Sequence, residues 1–274
     1  MKHAIIGQDL VVEEVSKIVN IFKTSQCEIK PHFILTGPSG SGKTHIIQNL
    51  AREFDLGFIE VNAAQLTKEG TSGNSLSKAL SPLSQLGGGK PVICFVDEFD
   101  KLFISGNSND SCAHESTTGV QNEFLKVLES NTASVFGDYG KYINISIKNV
   151  LFVFAGAFNG EEDITIDRLR EIGIKTEFLG RVGLVYNVQP LKLEALYKII
   201  DNSPLLSKYI SLFEGIDEAK AKDDLKGYIT KNYELNTLGA RLIHTLIHQY
   251  FIKGGKLEDE EIKEMSFQRR LSFV

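Results

Sequence analysis

The chain has 274 residues, 42% hydrophobic and 24% charged, an ordinary globular composition that excludes a disordered or collagen-like chain. A net charge of −5 and a pI near 5.8 give no global attraction to nucleic acid or anionic lipid. Three scattered cysteines (Cys27, Cys94, Cys112) without a CxxC pair argue against a disulfide scaffold and for a reducing compartment.

Apolar residues at spacings of three and four predict a helix over 9–22. A short apolar strand, Phe33–Thr36, then runs into Gly37-Pro38-Ser39-Gly40-Ser41-Gly42-Lys43-Thr44, and a helix is expected from Thr44 to about Glu53. Further apolar strands are predicted at Phe58–Val61, Val92–Val96, Val150–Ala155 and Leu184–Val188, with helices over Ser75–Leu86 and Gly119–Leu128. Strands without polar alternation are buried on both faces. Their alternation with helices predicts an α/β fold, a mostly parallel sheet flanked by helices. Residues 131–148 break the rhythm and predict an inserted hairpin, because Tyr142–Ile147 alternates after a Gly-Asp-Tyr-Gly turn. The Ser- and Asn-rich stretch Ser105–Thr118 predicts a loop. After Gln189-Pro190 the pattern becomes helical, so 1–190 is expected as the large nucleotide-binding subdomain and 191–274 as a small helical lid. The run Glu258–Glu261 reads as the solvated start of a last helix. The longest apolar runs fall far short of a membrane span, and the N-terminus is too polar for a signal peptide. A soluble cytoplasmic protein is expected.

Residues 37–44 complete the GxxxxGK[ST] pattern between a strand and a helix. Gly37, Pro38, Ser39, Gly40, Ser41 and Gly42 would wrap backbone N–H groups around phosphate oxygens, and Lys43 would set a charge at the β/γ-phosphates. Thr44 would offer a hydroxyl to Mg²⁺, and His45 follows in the phosphate-binding turn. Val92–Val96 ends in Asp97-Glu98. Ligands of open α/β sheets bind beyond the strands' carboxyl ends, so this pair is expected beside the phosphates. Asp97 would hold Mg²⁺, and Glu98 would orient or deprotonate the attacking water. No guanine-reading Asn-Lys-x-Asp occurs, which favours ATP.

Ile5-Ile6-Gly7-Gln8, Gly156-Ala157-Phe158, Glu177-Phe178-Leu179-Gly180-Arg181 and Leu238-Gly239-Ala240-Arg241 join these motifs in order over roughly residues 4–255. With them the chain resembles AAA+ ATPases, and within that group the ClpX/HslU branch of protein unfoldases. The resemblance implies a P-loop NTPase fold, a homo-oligomeric hexameric ring, and ATP hydrolysis between subunits that remodels a protein substrate, reached directly or through an adaptor. It places Ile5 and Ile6 against adenine. Arg181 matches the arginine that reaches a neighbour's γ-phosphate, and Arg241 the sensor arginine of the lid. A helix is expected around Arg241, capped by Asn236 or Thr237, with Leu238, Leu242, Leu246 and Tyr250 as its buried stripe. Ala155-Gly156-Ala157 supplies no conventional sensor asparagine or threonine.

Three departures from the family pattern bear on function. The threading-loop position reads Gly70-Thr71-Ser72-Gly73, and Thr71 lacks the aromatic grip of the family. The segment from Phe158 to Phe178 is short and carries no peptidase-docking tip, so partnership with a ClpP-type peptidase is not expected. The motifs begin almost at Met1, so the zinc-binding N-terminal domain of such relatives is not expected either. His244 and His248 lack the Glu of HExxH, and Cys112 with His114 forms no better set, so no metal beyond Mg²⁺ is expected. An ATPase acting on nucleic acid or a nucleoprotein is the runner-up, resting on Lys141 with Tyr139 and Tyr142. An ATP-gated scaffold is the third class. Ser105–Thr118 offers no Lys or Arg to a nucleic-acid track, and only Lys68 lies near the first loop.

Overall fold

The computed structural model describes residues 5–67, 73–86, 89–103, 111–137, 140–213, 215–255 and 257, with 111–117 as backbone. Its contacts divide the chain into two units, Met1–Pro190 and Leu191–Val274.

In the first unit the apolar runs become strands β1 (Phe33–Thr36), β2 (Gly57–Asn62), β3 (Val92–Asp97), β6 (Val150–Gly156) and β7 (Leu184–Asn187). They form one parallel sheet in the order β2-β3-β6-β1-β7. Successive side chains alternate between faces, and both faces are covered, which explains why the sequence shows no polar alternation. Phe33, Leu35, Ile93, Phe95, Leu151 and Val153 face one core, beneath α1 (Asp9–Thr24) and α2 (Lys43–Glu53). Ile34, Cys94, Val96, Phe152 and Phe154 face the other. That second core is closed by α3 (Leu76–Ala79), α4 (Ser111–Glu129), α5 (Ile166–Ile172) and α6 (Thr176–Arg181). Its centre is aromatic: Phe99 lies 4.7 Å from Phe154 and 5.1 Å from Phe178, ring centre to ring centre. Such pairs add roughly 0.5–1.5 kcal/mol beyond their buried area. The expected hairpin is present as antiparallel β4 (Thr132–Phe136) and β5 (Tyr142–Ser146).

In the first unit two expectations need correction. The helix foreseen over Ser75–Leu86 is only α3 followed by a 3-10 turn, Ser81–Ser84, because Pro82 sits where a continuing helix would need its N–H. Of the loop foreseen over Ser105–Thr118, residues 111–118 are helical and belong to α4, while 105–110 lie outside the described residues. Glu258–Glu261 also lies outside them.

The second unit is helical: α7 (Leu193–Asp201), α8 (Pro204–Leu212), α9 (Glu218–Lys231) and α10 (Arg241–Ile252). Ser203 caps α8 with Pro204 in its first turn, and the Asp217 carboxylate accepts from Ala219 and Lys220 to cap α9. Leu196, Leu225, Ile229, Leu246 and Ile247 are buried at its centre. Burial and a hydrogen bond to Asp224 (2.9 Å) push the Tyr250 hydroxyl up to about 12. Helix α10 starts later than foreseen. Asn236 caps Leu238 (3.0 Å) before the helix begins, which leaves Leu238 half-buried outside it.

His32 stands at the root of β1, 8% exposed, and its Nδ1 accepts from the Phe152 N–H at 3.0 Å. Burial, with the Lys30 charge behind it, lowers its pKa from 6.5 to about 4. A depressed histidine stays neutral when folded but takes up a proton when unfolded. Stability is therefore complete above pH 6.5 and falls as the pH drops toward 4. The expected loss over that window is about 3 kcal/mol. Urea unfolding at stepped pH should show this slope for the first unit, and His32→Gln should remove it.

Candidate nucleotide site

The site is built where β1, β3 and β6 end. Thr36 is fully buried, and its hydroxyl donates to Asn187 Oδ1 at 2.6 Å. The same Asn187 accepts from the Ile164 N–H (2.7 Å) and donates to its carbonyl (3.1 Å), so the strand end is tied down just before the loop starts. Gly37 then turns at φ +137°, and a Cβ there would lie 2.2 Å from the Val188 carbonyl oxygen. Only glycine fits that approach. Gly40 (φ +74°) and Gly42 (φ +99°) are also left-handed, which winds the loop into a nest of backbone N–H groups. Lys43 is 9% exposed and its Nζ donates to the Gly37 (2.6 Å) and Pro38 (3.0 Å) carbonyls, while Ser41 Oγ donates to Pro38 (2.8 Å). The loop from Gly37 through Ser39 to Gly42 is thus wound around an ammonium at the start of α2, where the helix dipole favours an anion. Thr44 is half-buried and His45 exposed in the first turn of that helix.

Strand register sets the carboxylates beside this loop. Val96 lies level with Phe154, and Phe154 with Ile34, so Asp97 ends β3 at the level of Leu35, two strands away. Two strand spacings are about 10 Å, a gap that suits a phosphate chain and its cation. Asp97 Oδ1 accepts from the Glu98 N–H at 2.8 Å, and Glu98 sits exposed at φ +54°. Burial first, and the Asp97 charge second, raise the Glu60 carboxyl on the neighbouring strand. The Thr44 hydroxyl and the Asp97 carboxylate are hard oxygen donors. Among the described residues no group of three His, Cys, Asp or Glu gathers. That donor set fits Mg²⁺, which takes few protein ligands and fills its shell with phosphate and water.

Two side chains at this edge escaped the sequence reading. Gln8 is 5% exposed, and its amide donates to the Ser41 carbonyl (3.3 Å) and the Gln189 carbonyl (2.7 Å), clamping the phosphate loop to the end of the unit. Asp100 is 1% exposed and accepts from the Ala157 and Phe158 N–H groups, each at 3.2 Å. Gln8 closes the Ile5–Gln8 motif and Asp100 stands two residues beyond the Asp97-Glu98 pair, but their partners are far along the chain, so spacing carries no signal of them.

The remaining candidates stand elsewhere. Ile5 and Ile6 are half-buried, and Ile5 packs on the core beneath α1 and α2. Arg181 ends α6 and pairs with Glu129 of α4 at 3.0 Å, both side chains about half exposed. Arg241 opens α10 in the second unit, exposed. His244 is exposed, and His248 Nδ1 meets the Tyr209 hydroxyl at 2.8 Å. Lys141 and Tyr142 are exposed on the hairpin, with Tyr142 edge-on to Phe136. Lys68, Gly70–Ser72 and Tyr139 lie outside the described residues, and of the Cys112 and His114 side chains nothing is described. No described helix is long and apolar enough to cross a membrane.

The sequence model of the ATPase family associated with various cellular activities (AAA) matches residues 33–172, just over half of the chain. The chain belongs to this AAA family. It is similar to proteins named ATP-dependent Clp protease ATP-binding subunit ClpX. Those of Bacteroides fragilis and Bacteroides thetaiotaomicron are 27% identical over 263 residues, covering 80% of this chain and 63% of theirs. ClpX 2 of Wolinella succinogenes is 28% identical, over 80% of this chain and 64% of its own. The chain therefore spans a little under two thirds of these relatives.

Gly37→Ala is expected to weaken binding of a fluorescent ATP analogue about tenfold or more, because the Val188 carbonyl must move. Gly227→Ala is the control. It lies inside α9 with open space around it, and should leave binding unchanged while raising stability by about 0.5–1 kcal/mol.

Proposed function

We propose that this AAA protein hydrolyses Mg-ATP as a subunit of a homo-oligomeric, hexameric ring and uses the cycle to remodel a protein partner or complex. The observation that carries this reading is the common level of the Lys43 loop and the Asp97-Glu98 pair on one sheet edge. In this reading Lys43 leaves the Gly37 and Pro38 carbonyls for the β/γ-phosphates, and the glycine nest and α2 N-terminus bind the remaining oxygens. Thr44 and Asp97 hold Mg²⁺, which neutralises phosphate charge. Glu98 orients the attacking water and takes its proton. Ile5 and Ile6 cover the base, and Arg241 reports on the nucleotide from the second unit.

Arg181 acts in trans on a neighbour's γ-phosphate. Its pair with Glu129 is half exposed, and such pairs are worth only about 0–1 kcal/mol, so an incoming phosphate can displace the carboxylate. The relatives' name joins them to a protease. For this chain we propose work without a ClpP-type peptidase. Residues 158–178 are accounted for by a 3-10 turn at Phe158–Gly160, α5 and the start of α6, with connections of a few residues and no long loop to dock.

Lys43→Ala should abolish ATP binding. Glu98→Gln should bind ATP normally and turn over at least about a hundredfold slower. Arg181→Ala should bind ATP but lose the rise of specific activity with protein concentration that assembly gives the parent. A normal concentration dependence in Arg181→Ala overturns the trans role. The substrate class is read by capture on tagged Glu98→Gln in ATP, against Lys43→Ala. One dominant protein retained only in ATP supports remodelling, and nuclease-sensitive nucleic acid alone contradicts it.

A further inference from the structure

Asp100 is a carboxylate with almost no solvent and no part in the roles above. A buried charge is costly unless its oxygens are satisfied, and here each oxygen takes one of two successive backbone N–H groups. Lys101 Nζ stands 3.4 Å from Oδ2, about half exposed. The turn so held follows β6 and is strained. Phe158 (φ +45°) and Asn159 (φ +59°) are both left-handed without being glycine. At the preceding Gly156 a Cβ would come within 2.8 Å of Asp100 Oδ1, so the carboxylate seats directly on the strand end.

The other side of Asp100 is Glu98. The chain from Glu98 to Leu102 is a tight 3-10 turn in which the Lys101 N–H bonds to the Glu98 carbonyl and the Phe103 N–H to the Asp100 carbonyl. Phe99 is fully buried among Phe154, Phe124 and Phe178. Glu98 itself is left-handed and exposed. Its backbone is thus set by the next two residues, Phe99 locked by packing and Asp100 by two hydrogen bonds from the turn that follows β6.

We propose that Asp100 is a positioning residue for hydrolysis: it welds the turn that carries Glu98 to the turn that ends β6, so that the Glu98 carboxylate is presented to the nucleotide from a fixed backbone. This rests on the reading of Glu98 as the water-activating group. Displacing such a group by a fraction of an ångström costs rate and not substrate affinity.

Asp100→Asn tests it, since the amide keeps one acceptor and turns its NH₂ toward the second N–H. Expected is a fall in kcat of about tenfold or more, with the Kd for a fluorescent ATP analogue and the KM within about twofold of the parent. The decisive readout is the double variant. In a Glu98→Gln background, Asp100→Asn should lower the residual single-turnover rate by less than about twofold, because its effect passes through Glu98. A merely structural defect would lower that rate by the same factor in both backgrounds, or weaken ATP binding, and either result overturns the proposal. If Asp100→Asn does not fold by circular dichroism, Gly156→Ala, which pushes on the same carboxylate, carries the same comparison. A parent no faster than Glu98→Gln would overturn the hydrolysis reading and this proposal together. A fast parent matched by Asp100→Asn would overturn the positioning role alone.

Discussion

Burial of the three central strands, β1, β3 and β6, on both faces is the constraint on which the site depends. With Ile34, Cys94 and Phe154 sunk in one core and Leu35, Phe95 and Val153 in the other, none of these strands can slip by one residue without turning its side chains into the wrong layer. The strand ends are therefore fixed in height as well as in order. Everything functional at the edge inherits its position from that register. The loop at Gly37 leaves β1, the carboxylates leave β3, and the turn at Phe158 leaves β6, which lies between them.

A few polar side chains convert this fixed edge into a braced one. Gln8, Asn187 and Asp100 are short or buried groups, each spanning two segments remote in sequence. They hold backbone, not ligand. Their common effect is preorganisation: the nest and the acids need not be assembled when nucleotide arrives, and binding free energy is not consumed in ordering them. Left-handed turns at Glu98, Phe158 and Asn159 persist because the surrounding packing over-determines them.

The sheet and the phosphate loop were legible in the sequence for a physical reason. A strand buried on both faces must be apolar throughout, as Val92–Val96 is, and a nest around phosphate must have glycine where φ is positive, as at Gly37 and Gly42. The helix of 75–86 was misjudged because its apolar spacing survives Pro82 while its hydrogen bonding does not. The start of α4 was hidden because Ser and Thr at 111–118 weaken the helical signal that backbone geometry nevertheless follows. Asp100 was invisible as a brace. Its partners are nearly sixty residues away, and only the adjacency of β3 and β6 brings them together.

The central claim is that one edge acts as one nucleotide site, and amide hydrogen exchange of Glu98→Gln with and without saturating Mg-ATP addresses it most directly. Slowed exchange together in residues 37–46, 97–100 and 156–160 is the predicted result. Protection confined to 37–46, with the other two turns unchanged, would contradict it.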